Sequence, residues 1–153
     1  MIGVSGAWRA GSGISIGGMT VIAQISLGVA DAERAGRFWC RALNYVRRAP
    51  RYSGDEWIVI EPRPGDPGAP IAMDLSESPI QEQPRIHFDL DAGEVELDVE
   101  VQRLVSLGAK HVDWPHYPEP SDEPPFVVLA DTEGNRFCVS GRRLLEKDDE
   151  LAA

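Results

Sequence analysis

The chain has 153 residues, of which 42% are hydrophobic and 26% charged, and its formal net charge at pH 7 is -10. This composition fits one globular domain, or two small halves that share one core. The acidity argues against nucleic acid as a partner, because phosphate binding needs clustered Lys and Arg, and it weakly favours a cationic ligand. No apolar run approaches the length of a membrane span. Cys40 and Cys138 alone form no disulfide framework, so we expect a reducing, cytoplasmic environment.

The first half of the chain reads as a leader, a strand, a helix and three short strands. Residues 1–19 are rich in Gly and Ser and lack the charged start and apolar core of a signal peptide, so we expect a flexible leader, with Met19 as an alternative natural start. A strand is predicted over 21–29, and Asp31 suits the N-cap of the following helix. Strands are then predicted over 45–48, 57–61 and 70–75, separated by Gly- and Pro-rich turns. The helix is indicated by apolar residues at helical spacing, which are Ala35, Phe38, Trp39, Ala42 and Leu43.

The same order of elements starts again after a polar linker at 77–84. A strand is predicted over 85–90, and Asp91 with Glu94 resembles a capping box. The stretch EVELDVEV alternates as a strand would, but its apolar residues also form a helical stripe. Because Gly108 supplies a C-cap, we predict a helix. Strands follow over 110–113, 126–130 and 136–140, and the charged tail at 142–153 is either a short helix or frayed.

The chain is therefore βαβββ twice, which predicts an α+β fold. We expect the domain to span 20–141, with module 1 at 20–76, the linker at 77–84 and module 2 at 85–141.

Alternation along the strands predicts which side chains face away from the helices. A strand that packs a helix on one face turns every second residue to the other face. This places Gln24, Asp74, His87 and Cys138 on the side opposite the helices. Their spacing follows the repeat, since Gln24 and His87 are 63 residues apart and Asp74 and Cys138 are 64 apart. A curved sheet would bring these four side chains into one concave pocket.

Three segments carry a resemblance to a known family. They are SLGVADAERAGRFWCRALNY at 26–45, RIHFDLD at 85–91 followed by a helix and LGA, and the turn DTEGNRFCV at 131–139. In this order they resemble the vicinal oxygen chelate superfamily, which includes glyoxalase I, extradiol dioxygenases and bleomycin-resistance proteins, and in particular its glyoxalase-like branch. The resemblance implies the glyoxalase/bleomycin-resistance fold, in which paired βαβββ modules form a cupped mixed sheet around one pocket, and a homodimer.

The resemblance also implies where a metal would bind. Metal-dependent members take their ligands from the first and last strands of each module, and by position these are Gln24, Asp74, His87 and Cys138. Cys138 stands where a carboxylate is expected and Asp74 is shorter than the usual Glu. Such a set could bind Zn²⁺ but is a poor site for hard octahedral ions. We therefore expect no cofactor, with a divalent metal on these four residues as the alternative.

The remaining candidate residues border the expected pocket. His87 is either a hydrogen-bonded pocket residue, paired with Asp89, or a catalytic general base. Trp57, Trp114 and His116 are expected at the pocket mouth, where a flat or cationic ligand could stack on the Trp faces. Ordinary packing of these large side chains is an equal alternative.

These observations leave competing functions. We expect a small-molecule-binding protein, of the resistance or sequestration type, for a cationic or aromatic ligand and without an intact metal site. The alternative is a lyase, isomerase or dioxygenase that acts through a metal or through His87, and a scaffold without a ligand is a third possibility.

The Asp131–Asn135 turn is predicted to close a hairpin, with Gly134 or Asn135 at positive φ, and thereby to set the register that points Cys138 into the pocket.

Overall fold

A computed structural model describes residues 20–115 and 126–141, and it contains the predicted repeat. Module 1 consists of β1 (Ile25–Val29), α1 (Ala32–Leu43), β2 (Val46–Arg47), β3 (Ile58–Glu61) and β4 (Ile71–Leu75). Module 2 consists of β5 (Phe88–Asp91), α2 (Leu97–Ser106), β6 (Lys110–His111), β7 (Phe126–Ala130) and β8 (Arg136–Ser140). The α+β fold of two βαβββ modules is thus confirmed. Within the described residues, no helix has the length and apolar character needed to cross a membrane.

Each module forms its own four-stranded mixed sheet. The strand orders are β1-β4-β3-β2 and β5-β8-β7-β6. In both sheets the first and last strands of the module pair in parallel, and the other pairs are antiparallel. Strands β1 and β5 therefore each lie at the end of a sheet. The register places Gly28 opposite Asp74, and Asp89 opposite Cys138.

Helix α1 follows directly from its sequence. Asp31 is the N-cap and its carboxylate accepts a hydrogen bond from the backbone N–H of Arg34 at 2.9 Å. The helix ends at Asn44, which adopts a left-handed conformation with φ 56°. Asn tolerates this conformation better than most residues because its short polar side chain bonds locally. The predicted stripe is confirmed, since Ala35, Phe38 and Trp39 are all buried.

Helix α2 begins later than the sequence suggested. The ambiguous stretch is helical, and Val101 and Leu104 are its buried residues. The predicted capping box is wrong, because the N-cap is Glu96 and makes no side-chain capping bond. Asp91 ends β5 instead, and its carboxylate accepts a hydrogen bond from the N–H of Gly93 at 2.9 Å in a local turn. The C-cap residue is Leu107, so Gly108, the predicted cap, lies one position beyond it, at positive φ.

The predicted strands were also too long at their outer ends. β1 begins at Ile25 rather than at residue 21, and β5 begins at Phe88 rather than at residue 85. Val21, Ile22 and Ile86, which extend the apolar patterns, are exposed by 72–87%. The alternation of apolar residues continues beyond the first paired residue of each strand. These outer residues have no neighbouring strand within the described part of the chain.

A single apolar core joins the two modules. The ring of Trp39, from α1, lies 5.2 Å from that of Phe88 on β5 and 5.1 Å from that of Phe137 on β8. Both contacts are edge-to-face, which is a favoured geometry for aromatic pairs. Trp39 and Phe137 are both at most 1% exposed. The helix of module 1 thus packs on the sheet of module 2, and it fixes β1 and β5 relative to each other.

Candidate functional site

The turn between β7 and β8 is a tight hairpin loop built around one carboxylate. Asp131 accepts hydrogen bonds from the backbone N–H groups of Glu133 and Asn135, both at 2.9 Å, through Oδ1. Its own N–H donates to the carbonyl of Asn135 at 2.8 Å. Gly134 has φ +91° and Asn135 is not at positive φ. The predicted hairpin is confirmed, and Gly134 is the residue that supplies the left-handed conformation.

The same turn reaches across to module 1 through Glu133. Its Oε2 accepts hydrogen bonds from the N–H groups of Ala30 at 3.0 Å and Asp31 at 2.9 Å, and its Oε1 accepts one from Arg34 Nε at 2.6 Å. The side chain of Glu133 is only 2% exposed. These contacts hold the entry to α1 against the β7–β8 turn.

Two more side chains of the turn complete this connection. Asn135 Nδ2 donates to the carbonyl of Gly28 on β1 at 2.9 Å, and Trp39 Nε1 donates to Asp131 Oδ2 at 2.9 Å. We call Asp131, Glu133 and Asn135 the inter-module clamp. We did not predict it from the sequence, although the turn places three polar side chains between two apolar strands, and polar groups that become buried need partners elsewhere in the fold.

The two carboxylates of the clamp have opposite pKa shifts. Burial raises the pKa of Asp131, and its hydrogen bonds from Trp39, Glu133 and Asn135 only partly counter this. Burial also acts to raise the pKa of Glu133, but the hydrogen bonds from Arg34, Asp31 and Ala30 outweigh it and hold the pKa below its usual value. The hydrogen bonds to Glu133 therefore stabilise its anionic form.

A second group of polar side chains lies on the opposite face of β5 and β8 from the helices. His87 Nε2 is 3.3 Å from Asp89 Oδ1, and Cys138 lies opposite Asp89 across the parallel pairing. One ligand atom of each residue lies within 4.8 Å of the others. We call this set the His87–Asp89–Cys138 cluster. The pairing of His87 with Asp89 that the sequence suggested is present.

The thiol of the cluster is held in its neutral form. Burial and the negative charge of Asp89, which also accepts a hydrogen bond from the thiol, raise the pKa of Cys138 to about 11. Cys138 is buried, whereas the side chains of His87 and Asp89 are 33% and 70% exposed. The cluster thus has a protonated thiol at its base and an open rim.

Asp74, the module 1 carboxylate of the predicted set, lies elsewhere. Asp74 is exposed on β4, opposite Gly28, and does not belong to the cluster. Gln24 is half-buried and immediately precedes β1. Of the four residues predicted to converge, His87 and Cys138 come together, and the carboxylate beside them is Asp89 rather than Asp74.

A cavity of about 710 Å³ lies between the free edge of β1 and the start of β5. Its floor is apolar and includes Leu27, Trp39 and Phe88, and the linker forms one wall. His87 is the member of the cluster that reaches it. The full lining is 25–30, Trp39, 76–81, Pro84, 86–88, Glu133, Asn135 and Arg136. Trp39, which the sequence analysis assigned to the core alone, is also a cavity residue.

The predicted aromatic residues at the pocket mouth do not line this cavity. Trp57 is 55% exposed and immediately precedes β3, and Trp114 is half-buried after β6. His116 lies outside the described residues. Gln24 and Asp74 are likewise not among the lining residues.

Comparison with protein families identifies the chain. A family model described as a glyoxalase-like domain matches residues 24–140. The chain belongs to the glyoxalase-like domain family. This assignment and the neighbouring structures support the vicinal oxygen chelate superfamily that the sequence motifs suggested. None of the curated proteins matches the sequence.

Solved structures share the fold of this glyoxalase-like domain at low identity. FosX, the genomically encoded fosfomycin resistance protein from Listeria monocytogenes, matches with a TM-score of 0.61 at 21% identity, covering 84% of this chain and 96% of that one. TnmS3, an antibiotic binding protein from Streptomyces sp. CB03234, matches with a TM-score of 0.51 at 17% identity, covering 80% and 96%. At these identities the likeness shows the fold alone.

A further structure of FosX, with Mn(II) and 1S,2S-dihydroxypropylphosphonic acid, has a TM-score of 0.58 at 20% identity and covers 80% of this chain and 90% of that one. The donors in the present chain do not fit an ion of the Mn(II) type. Mn(II) prefers carboxylate, carbonyl and water oxygens, whereas the cluster offers one imidazole, one carboxylate and one thiol. Asp74, the other carboxylate that the resemblance implied, lies outside it.

Proposed function

We propose that this glyoxalase-like protein binds a small aromatic or cationic molecule, in the manner of a resistance or sequestration protein, and without the oxygen-rich metal site of metal-dependent relatives. The observation that carries the proposal is the cavity between β1 and β5. Its volume of about 710 Å³ lies in the usual range for small-molecule sites, about 300–1,000 Å³. Its lining is mostly apolar with a few polar side chains, such as Ser26 and His87, which is the common pattern of such sites.

The aromatic part of the proposal rests on the floor of the cavity. Phe88 lines the cavity and is half-buried, and the buried ring of Trp39 holds it edge-to-face at 5.2 Å, so a flat ligand would meet a fixed aromatic side chain at Phe88. The cationic part rests on charge. The net charge of -10 would raise the local concentration of cations near the protein. Within the lining, Glu133 is paired with Arg34, and the exposed Glu77 is balanced by Arg136, so the attraction for cations rests on the overall charge.

Two further considerations agree with this proposal. TnmS3 and FosX share the fold, and one is an antibiotic binding protein and the other a fosfomycin resistance protein. Cys40 and Cys138 are both free thiols, which fits the cytoplasmic location that we propose.

Titration with two flat dyes of opposite charge tests the proposal. Ethidium is cationic and anilinonaphthalene sulfonate is anionic, and we expect saturable binding of ethidium with one site per chain. Ser26→Trp, which places a large side chain in the cavity, should weaken binding at least about tenfold. Ser53→Trp is the matched control, because Ser53 is exposed in a turn and does not line the cavity. Equal binding to both variants, or no binding of either dye to the wild type, would contradict the proposal.

A catalytic role for His87 is the second candidate. His87 reaches the cavity and its Nε2 lies 3.3 Å from Asp89 Oδ1, which is the arrangement of a general base with an orienting carboxylate. Mass spectrometry of small molecules recovered after incubation separates the two functions. A binding protein returns its ligand unchanged, whereas an enzyme returns a product that disappears with His87→Ala.

We also propose that two copies of the chain associate. β1 and β5 each lie at the end of a sheet, and an unpaired sheet edge favours pairing with a second chain. Leu75 and Ile86, on either side of the linker, are large apolar residues exposed by 71% and 87%. An interface between copies would cover them.

A further inference from the structure

We propose that the cavity recognises an aromatic molecule that carries an amide group, through backbone groups at the open edges of β1 and β5. This inference rests on the proposed small-molecule function and assigns a chemical class to the ligand of the same cavity. The observation behind it is that two sheet edges, and not side chains alone, face the cavity.

The pairing of β1 shows which of its backbone groups point toward the cavity. In a parallel pair, the N–H and C=O groups of one residue point to the neighbouring strand, and those of the next residue point away from it. The N–H of Ile25 donates to the carbonyl of Pro70, at the start of β4, at 2.9 Å. The alternation therefore directs the backbone groups of Ser26 and Gly28 away from β4, to the edge that lines the cavity.

The pairing of β5 adds one acceptor from the other side. The N–H of Ala92, just after β5, donates to the carbonyl of Ser140 on β8 at 2.9 Å, so by alternation the N–H of Phe88 also points to β8. In a trans peptide the C=O of one residue points opposite to the N–H of the next. The C=O of His87 therefore points away from β8, and His87 lines the cavity.

The inter-module clamp limits how much of the β1 edge is open. Asn135 Nδ2 donates to the C=O of Gly28 at 2.9 Å, and Glu133 accepts from the N–H of Ala30 at 3.0 Å. Both backbone groups of Ser26 and the N–H of Gly28 have no hydrogen-bond partner among the described residues. These two residues span roughly 6.6 Å along a strand. The open length fits one or two amide units of a small molecule and is too short for a long added strand.

The chemistry of these groups selects the ligand. Unpaired backbone N–H and C=O groups need partners once a ligand excludes water from them, and an amide supplies both a donor and an acceptor. Phe88 is half-buried in the cavity lining and supplies an aromatic contact beside the C=O of His87. An aromatic ring and an amide in one small molecule would therefore use both features.

The competing interpretation is that the ring contact at Phe88 alone holds the ligand and that the sheet edges stay solvated. Two probes of nearly the same shape separate the interpretations. N-acetylphenylalanine methylamide and N-acetylphenylalanine methyl ester differ in one N–H, which the ester replaces by oxygen.

The test is titration of the ¹⁵N-labelled full chain with each probe, followed by NMR. We expect the methylamide to bind about threefold to tenfold more tightly than the ester, which is the usual effect of one hydrogen bond. The amide protons of Ser26 and Gly28 should move downfield with the methylamide, because they become hydrogen-bonded.

Two variants of Ser26 test the β1 edge directly. Ser26→Pro removes an N–H that makes no bond to β4, and proline is tolerated at such positions of an edge strand. We expect it to weaken methylamide binding at least about threefold. Ser26→Ala is the matched control, because it keeps the N–H and should bind within about twofold of the wild type. If Ser26→Pro does not fold, the two probes on the wild type decide the question.

Three results would overturn the proposal. They are equal binding of the two probes, no downfield movement at Ser26 and Gly28, and movement that follows protein concentration rather than probe concentration. The last result would assign these edges to an interface between copies. If ethidium binds while the two probes bind equally, amide recognition fails and the small-molecule function stands. If neither ethidium nor either probe binds, both proposals fail.

Discussion

The inter-module clamp shows how much depends on individual residues of one turn. Asp131 shapes the loop through two backbone N–H groups and also accepts the indole N–H of Trp39. Glu133 and Asn135 bond the backbone at the end of β1 and at the start of α1. A short polar motif thus sets a hairpin and joins two modules.

Gly134 is the residue whose replacement should cost the most in this turn. It has φ +91°, and a Cβ there would lie 2.6 Å from Ile80 Cδ1 in the linker. Backbone strain of this kind costs about 1–3 kcal/mol, and the contact with Ile80 adds to it. We expect Gly134→Val to lower the free energy of unfolding by about 2 kcal/mol or more, whereas Cys138→Ser should leave the fold intact. Thermal melts of both variants measure this.

Gly93 supplies the control for that prediction. It also has positive φ, at +65°, but a Cβ there would meet nothing within 4 Å. The loss of stability in Gly93→Ala therefore measures backbone strain alone. The loss in Gly134→Ala measures backbone strain together with the contact to Ile80. Ile80→Ala should restore part of the stability of Gly134→Ala and none of that of Gly93→Ala. Equal melting of Gly134→Val and the wild type would show that the turn does not need glycine.

Glu133 gives a prediction about pH. Its pKa in the folded protein is held below the usual value of 4.5, so its contribution to stability is complete above that value and is lost as pH falls through the lowered pKa. Glu133→Gln should lower the urea midpoint at pH 7, and the difference from the wild type should shrink below about pH 4.5. Asp131, whose raised pKa acts in the opposite direction, is present in both proteins and cancels in the comparison. A difference that is independent of pH would contradict the role of its charge.

Among the elements, α1 connects module 1 to module 2 through Trp39. Trp39 lies against Phe88 and Phe137 of module 2 and donates to Asp131 from its ring nitrogen. These contacts of α1 with module 2 hold the two sheets in their relative positions.

Replacing Trp39 by Phe separates its ring packing from its hydrogen bond. Trp39→Phe keeps an aromatic ring but leaves Asp131 Oδ2 without the indole donor, in a site where Asp131 is 2% exposed. Loss of one partner of a buried polar group costs about 1–3 kcal/mol. We expect a destabilisation of that size by urea denaturation. A double-mutant cycle with Asp131→Asn should show coupling, and strict additivity would show that the bond contributes nothing.

The elements were predictable from the sequence to different degrees. The stripe at Phe38 and Trp39 and the alternation at His87 and Cys138 depend only on local periodicity, so α1, the order of the strands and the faces of β5 and β8 were predicted correctly, although several strand ends were not. The start of α2 was not, because Asp91 forms a local turn instead of capping the helix. The clamp and the third member of the cluster, Asp89, depend on how distant segments meet, and local pattern carries no such information.

At the scale of the whole molecule, the polar cluster lies in one module and the cavity is lined by both. The cluster belongs to module 2, and Asp74 of module 1 takes no part in it. The cavity instead joins the modules, with β1 on one side and β5 on the other. A small molecule bound there would contact both modules.

The open ends of the two sheets lead to a prediction about assembly. Leu75 closes β4 and is 71% exposed, and burying such a side chain in an interface contributes about 1.5–3 kcal/mol. We expect a dimer by light scattering at micromolar concentration and a shift toward monomer with Leu75→Glu, because the interface would then bury an unpaired charge. Val99→Glu is the matched control, since Val99 is 53% exposed on α2, away from the sheet ends. A monomer mass for the wild type would refute the prediction, and an equal shift in both variants would place the interface on α2 as well.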